Sequence, residues 1–276
     1  MSKPFPDTFQ GNAIPWLLEG EAHDLPVRGT LPADLRGTFY RNGPNPQFAP
    51  RGHYANWYDG DGMVHAFHID DGRVHYVNRW VRTERFTAER AAGEALVGTL
   101  FAPNSVAPEG QDLSRNAANA TIVYHGGKVL ATWETGLPHE IDPVTLETRG
   151  LHDFGGAIPH DMMGHPKIDP VSGEMHLFGR TAPHPAPGNM TYHVADPSGA
   201  ITHTTEVAVP YDSMTHDMFM TENFVILTVF PAVYDHAREQ AGGPYVAWEK
   251  DRDSFLGILP KGGNGADITW VSFPGC

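Results

Sequence analysis

The chain has 276 residues, 40% of them hydrophobic and 11% aromatic, enough for a sizeable core and far from the composition of a disordered segment. Lys and Arg number 19 against 33 Asp and Glu, and the formal charge of -14 argues against nucleic acid or an anionic lipid surface as a partner. The single Cys276 excludes an internal disulfide framework and suits a reducing compartment, so a cytoplasmic protein is expected.

The opening segment, MSKPFPDTFQGNAIPW, has no apolar signal-like run, and no later stretch approaches the ~18 apolar residues of a membrane-spanning helix. Thirty Gly and 24 Pro punctuate the chain and leave little room for long helices, which points to an all-β protein. Strand-like runs follow in order at 37–42, 62–70, 73–86, 121–125, 128–134, 174–180, 190–196 and 223–230. Asp71-Gly72, Gly126-Gly127, Ser172-Gly173 and Ser198-Gly199 separate neighbouring runs as hairpin turns do, giving a meander.

Asp-Pro recurs at 142, 169 and 196, an even step of 27 residues that hints at internal repetition. Repeated antiparallel sheets with such turns suit a β-propeller, although a sandwich fits the same pattern. Residues 87–120 are the least patterned, part helix-compatible and part loop-like, and read as an insertion or lid. The final ITWVSFPGC still reads as a strand, so one domain over 1–276, cut short at its C-terminus, is expected.

Sixteen His are the anomaly, since imidazole is the commonest metal-ligating side chain. His53, His125, His184 and His236 sit among turn residues and read as solvated. Two segments stand apart: IPHDMMGHPKIDPVSGEMH (158–176) and MTHDMFMTENFVIL (214–227), each placing a His ahead of a strand and a turn. On the residues alone, metal ligation and ordinary hydrogen-bonded His both fit.

Longer motifs carry a resemblance. RGTFYRNGPNPQ (36–47), WYDGDGMVH (57–65), NRWVRTERF (78–86), the run 118–150, GHPKIDPVSGEMHLFG (164–179), MTHDMFMTENFVIL and LGILPK (256–261) resemble, in order and spacing, the N-terminal portion of the carotenoid cleavage oxygenases. That resemblance implies a seven-bladed propeller, incomplete here, with one Fe(II) held by four His. It maps the first two ligands onto His165 and His216, with His160 a local competitor to His165. It also maps onto Glu134 a carboxylate that accepts an imidazole N–H from a ligand. The third and fourth ligands have no counterpart in this chain.

The implied activity is O2-dependent cleavage of a conjugated C=C bond of a carotenoid or apocarotenoid to carbonyl products, with an apolar polyene and O2 as the partners. Transient membrane contact by hydrophobic loops is compatible with such a substrate, and no obligate protein partner is implied. The lignostilbene-cleaving branch tends to carry a Lys at the Glu134 position, and its replacement by Glu argues for an apolar polyene. Cleavage of a lignostilbene or phenylpropanoid double bond is the first rival, and a metal-free, catalytically inactive propeller the second. Asp59 and Asp61 in YDGDG superficially suggest a calcium loop, but no carboxylate set completes one, and a structural turn is expected. Arg41, Asn42 and Asn45 around Pro44 read as turn hydrogen bonding. The chain alone is expected to be poorly soluble and to bind no stoichiometric Fe(II).

Overall fold

A computed structural model describes residues 4–52, 57–181 and 189–274. The first sheet contains β1 (Gly20–Ala22), β2 (Gly37–Pro44), β3 (Gly62–Asp70) and β4 (Arg73–Trp80), in the order β1-β4-β3-β2. After β4 comes helix α1 (Glu84–Ala92). The second sheet runs β5 (Ile122–His125), β6 (Lys128–Trp133), β7 (Gly136–Ile141) and β8 (Thr148–Leu151). The third runs β9 (Lys167–Ile168), β10 (Met175–Arg180), β11 (Met190–Ala195) and β12 (Ile201–Val207).

The fourth sheet begins with β13 (Met218–Met220) and β14 (Phe224–Val229). A two-stranded ribbon, β15 (Ala232–Tyr234) and β16 (Val246–Trp248), then carries the short α2 (His236–Gln240) before β17 (Ser254–Pro260) and β18 (Thr269–Phe273) complete the sheet. Pairing between these strands is antiparallel, and the second and third sheets are uninterrupted meanders, as expected.

Successive sheets pack face to face. Val64, Ala66 and Val77 of the first meet Val129, Ala131 and Ile141 of the second. Val123 and Leu130 then meet Met175 and Leu177 of the third, and Phe178 and Tyr192 meet Val225, Leu227 and Leu259 of the fourth. β10 is buried along its whole length, whereas β12 alternates, as a strand wetted on one face must. Four four-stranded blades stacked in this way form an incomplete β-propeller.

The hairpin turns fall where the Gly pairs placed them. Asp71 and Gly72, at φ 46° and 72°, and Gly126 and Gly127, at 56° and 73°, take the left-handed backbone that a two-residue turn requires. The Asp-Pro step has a simple origin. Asp142 joins β7 to β8, Asp169 joins β9 to β10 and Asp196 joins β11 to β12, so 27 residues span half a blade rather than a whole one. Each carboxylate accepts the backbone N–H two residues on, from Val144, Val171 and Ser198.

Three expectations are corrected. Residues 84–86, read as the end of a strand, open α1: the Thr83 side chain accepts the Phe86 N–H, and Gly93 closes the helix in left-handed conformation. His125 is 6% exposed rather than solvated, because its Nε2 bonds the Gly173 carbonyl at 3.0 Å. The first blade is not a simple meander, since β1 pairs with β4 across the sheet. His53 and His184 lie outside the described residues, while His236 is partly exposed and packs on Tyr245.

The YDGDG segment is a structural turn. Asp59 Oδ1 accepts the Leu100 N–H at 2.7 Å, and Asp61 is buried against Arg85. A Cβ on Gly62 would sit 2.1 Å from the Ala118 carbonyl oxygen, so only Gly lets the two segments touch. Asn42 and Asn45 likewise bond backbone groups, those of Ala118 and Trp16.

Candidate metal centre

His165 lies two residues before β9, His216 two residues before β13, and Glu134 directly after β6. Antiparallel alternation therefore brings the starts of β9 and β13 and the end of β6 to one end of the blades. The Asp-Pro turns occupy the other. The β6–β7 register shifts between Ala131 and Trp133, a bulge of the kind that re-aims side chains at a strand end.

The three residues converge. His165 Nε2 and His216 Nε2 are 3.1 Å apart, and His216 Nδ1 is 2.7 Å from Glu134 Oε1. Together they offer three ligand atoms within 4.8 Å of one another. His160, the local competitor, is not part of this group.

Several contacts hold the arrangement. Thr132 Oγ1 donates to the Gly164 carbonyl at 2.6 Å, tying β6 to the residue before His165. Thr215 and Thr228 lock the backbone on both sides of His216, since Thr215 Oγ1 donates to the Thr228 carbonyl and Thr228 Oγ1 to the Asp217 carbonyl. Lys167 and Asp217 form an ion pair at 2.6 Å that joins the two His-bearing segments. A Cβ on Gly164 would lie 2.8 Å from Glu134 Oε1, so glycine leaves the carboxylate its room.

Electrostatics separate the two imidazoles. The hydrogen bond to Glu134 raises the His216 pKa, outweighing burial. His165 is lowered, mainly by burial and then by the neighbouring His216. With Nδ1–H of His216 directed at the carboxylate, its Nε2 presents a lone pair beside that of His165.

A metal ion fits this set. His165 and His216 would hold it through their neighbouring Nε2 atoms, and a carboxylate behind a ligating imidazole is the usual bracing. Glu134 Oε2 is buried without a hydrogen-bond partner, so the carboxylate retains uncompensated acceptor capacity at the site. Neutral imidazoles suit iron, zinc, copper and nickel alike.

The centre opens into a cavity of about 580 Å³. Trp57, Tyr58, Leu100, Phe101 and Trp133 supply apolar walls, and Arg41, Arg85 and Arg115 also line it. The Trp57 and Tyr58 rings stack with centroids 3.8 Å apart. None of these wall residues was singled out for function from sequence. Trp57 and Tyr58 belong to the WYDGDGMVH motif that carries the resemblance, Tyr58 also to the turn, and Arg115 carried no signal.

A four-bladed stack with two imidazoles and a carboxylate gathered at one end is an incomplete propeller with a candidate metal centre. The family model described as retinal pigment epithelial membrane protein (RPE65) matches residues 15–276, and the chain belongs to this family, the carotenoid cleavage oxygenases. An isoeugenol monooxygenase of Pseudomonas nitroreducens is 41% identical, over 96% of this chain and 55% of that protein. The crystal structure of a Pseudomonas brassicacearum lignostilbene dioxygenase superposes with a TM-score of 0.93 at 33% identity, covering 99% of this chain and 57% of that one. A cobalt-substituted Synechocystis apocarotenoid oxygenase gives a TM-score of 0.80 at 29% identity, over 94% of this chain and 57% of that one. The chain thus spans about half the length of the curated relatives it matches.

Proposed function

We propose that this chain carries His165 and His216 as ligands of an iron(II) centre that serves O2-dependent cleavage of a C=C bond to two carbonyl products. The observation that carries the reading is the convergence of the two Nε2 atoms, braced through Glu134, at the mouth of an aromatic cavity. Bound iron(II) would supply O2 activation. The residues of the chain supply everything around it. Glu134 holds the proton on Nδ1 of His216, so that Nε2 stays available as a ligand. The walls formed by Trp57, Tyr58, Phe101 and Trp133 align a flat conjugated alkene and exclude water from the centre.

For the substrate we favour an aryl-conjugated alkene of the phenylpropanoid or stilbene type over a polyene. The isoeugenol monooxygenase at 41% identity and a resveratrol cleavage oxygenase of Aspergillus fumigatus at 38% stand above a carotenoid cleavage oxygenase of Neurospora crassa at 36%, and this supports the choice. The case for a polyene from Glu134 weakens, since that carboxylate is engaged by His216. A carotenoid or apocarotenoid remains the second reading, favoured by the apolar wall of the cavity.

Incubating the iron(II)-loaded protein, prepared with the part of its relatives' length that this chain does not span, in air with isoeugenol, a hydroxystilbene and an apocarotenoid, and identifying the carbonyl products by mass spectrometry, separates the two. Aryl aldehydes from the first two compounds are expected. Products from the apocarotenoid alone would reverse the choice. Absence of O2-dependent products from all three would reject the activity, and failure to bind iron(II) would leave a metal-free propeller. Among the described residues no helix is long and apolar enough to cross a membrane. We place the protein in the cytoplasm, with the alkene and O2 as its partners, and a membrane contact only if the substrate is a polyene.

A further inference from the structure

Arg115 sits in the wall of the same cavity as His165, His216 and Glu134, between Ser114 and Asn116 in the loop that leads to β5. Its surroundings differ from those of the other arginines there. Arg85 is fully engaged, by Asp61, by Glu89 and by the Asp59 carbonyl. Arg41 is exposed and needs no protein partner. Arg115 is partly buried and makes no hydrogen bond or ion pair with any described residue.

Burial lowers the Arg115 pKa, and the more distant Tyr245, Glu239 and Asp161 offset this only in part. Glu239 is already committed to the backbone and amide nitrogens of Asn104. A guanidinium that lines a cavity without a protein partner keeps its donors for a ligand, and a bidentate oxyanion matches their fork better than any other ligand group.

We propose that Arg115 is a specificity-determining residue that receives an anionic oxygen group, a carboxylate or a phenolate, on the substrate. This rests on the reading of the cavity as the site of an aryl alkene. Polyene hydrocarbons have nothing to offer it, whereas an aryl alkene bearing an acidic oxygen uses the aromatic walls for its ring and Arg115 for its polar end.

The test uses stilbene-4-carboxylate, 4-hydroxystilbene and unsubstituted stilbene. Binding to the metal-free protein is followed by quenching of Trp fluorescence, and cleavage is measured separately on the iron(II)-loaded protein. At least one oxygen-bearing probe should bind roughly 10- to 100-fold more tightly than stilbene, the stronger of the two revealing which oxyanion is preferred. Arg115→Met should abolish the difference without weakening stilbene itself, and Arg115→Lys should keep part of it. Thermal melts establish that each variant is folded, and should Arg115→Met not fold, the Lys variant alone must still show a reduced preference.

No preference in the parent protein, or a preference unchanged in the folded variants, overturns the role of Arg115 whether or not cleavage occurs. Intact preference without cleavage of any probe rejects the proposed reaction and leaves the role of Arg115 standing.

Discussion

Glu134 Oε1 lies 2.7 Å from Nδ1 of His216, so a residue after β6 decides which nitrogen of a ring before β13 carries the proton. Replacing Glu134 by Gln retains the shape and an acceptor but removes the charge. Affinity for cobalt(II), followed by its visible absorption, should fall about 10- to 100-fold. An unchanged affinity would remove Glu134 from the centre.

Gly164 is predicted to act through Glu134. In Gly164→Ala the new methyl would meet Glu134 Oε1 at 2.8 Å and the Ala120 Cβ at 3.0 Å. Displacement of the carboxylate should weaken cobalt(II) binding about as much as Glu134→Gln does, at a stability cost of about 1–3 kcal/mol by chemical denaturation. A drop in stability with full metal affinity would show that the crowding is relieved elsewhere.

Arg85 stands between two buried carboxylates, Asp61 at 3.7 Å and Glu89 at 3.3 Å. Arg85→Met would leave both uncompensated and should cost about 3–5 kcal/mol in urea unfolding. Adding Asp61→Asn should recover part of that loss, because one of the stranded charges is then gone. Additive losses would mean that the cluster is held by packing rather than charge.

Acid should destabilise the fold in two stages. Burial holds His139 and His193 down at about 4, while the unfolded chain takes up those protons near pH 6.5. Stability should therefore fall as the pH drops from about 6.5 to 4, by up to roughly 3 kcal/mol for each His. Asp142 and Asp169, held near 2 chiefly by backbone hydrogen bonds and by Lys261 respectively, contribute stability above about pH 4 that is lost as the pH falls towards 2. A urea midpoint that is flat from pH 7 to pH 4 would contradict the first stage, and His139→Phe should flatten part of it.

Much of this fold was legible because its turns are chemically explicit. Asp71-Gly72 and Gly126-Gly127 need left-handed backbone, and only a short menu of residues supplies it. The two ends of α1 carry cap signals, Thr83 and Gly93, but the strand-like run that begins at Arg73 continued into the helix and hid the first of them. The pairing of β1 with β4 had no local signature, since a three-residue strand carries almost no pattern.

At the site, His165, His216 and Glu134 were found through the motifs around them, and the geometry brings all three together. Lys167 and Asp217 lay inside the same motifs, but their ion pair depends on two strands meeting in space. Arg115 was invisible for a deeper reason. Lacking a partner is a property of its surroundings, and no local pattern encodes it.

The two ends of the blades answer to different constraints. Where Asp142, Asp169 and Asp196 each bond a backbone N–H two residues ahead, one inserted residue breaks the bond that shapes the turn. At the opposite end, the loop bearing Arg115 runs all the way from α1 to β5, and its length is not set by a two-residue turn. Lengthening or exchanging that loop can therefore change what the cavity accepts while the blades keep their register. A designer could treat one end of this molecule as chassis and the other as interchangeable tooling.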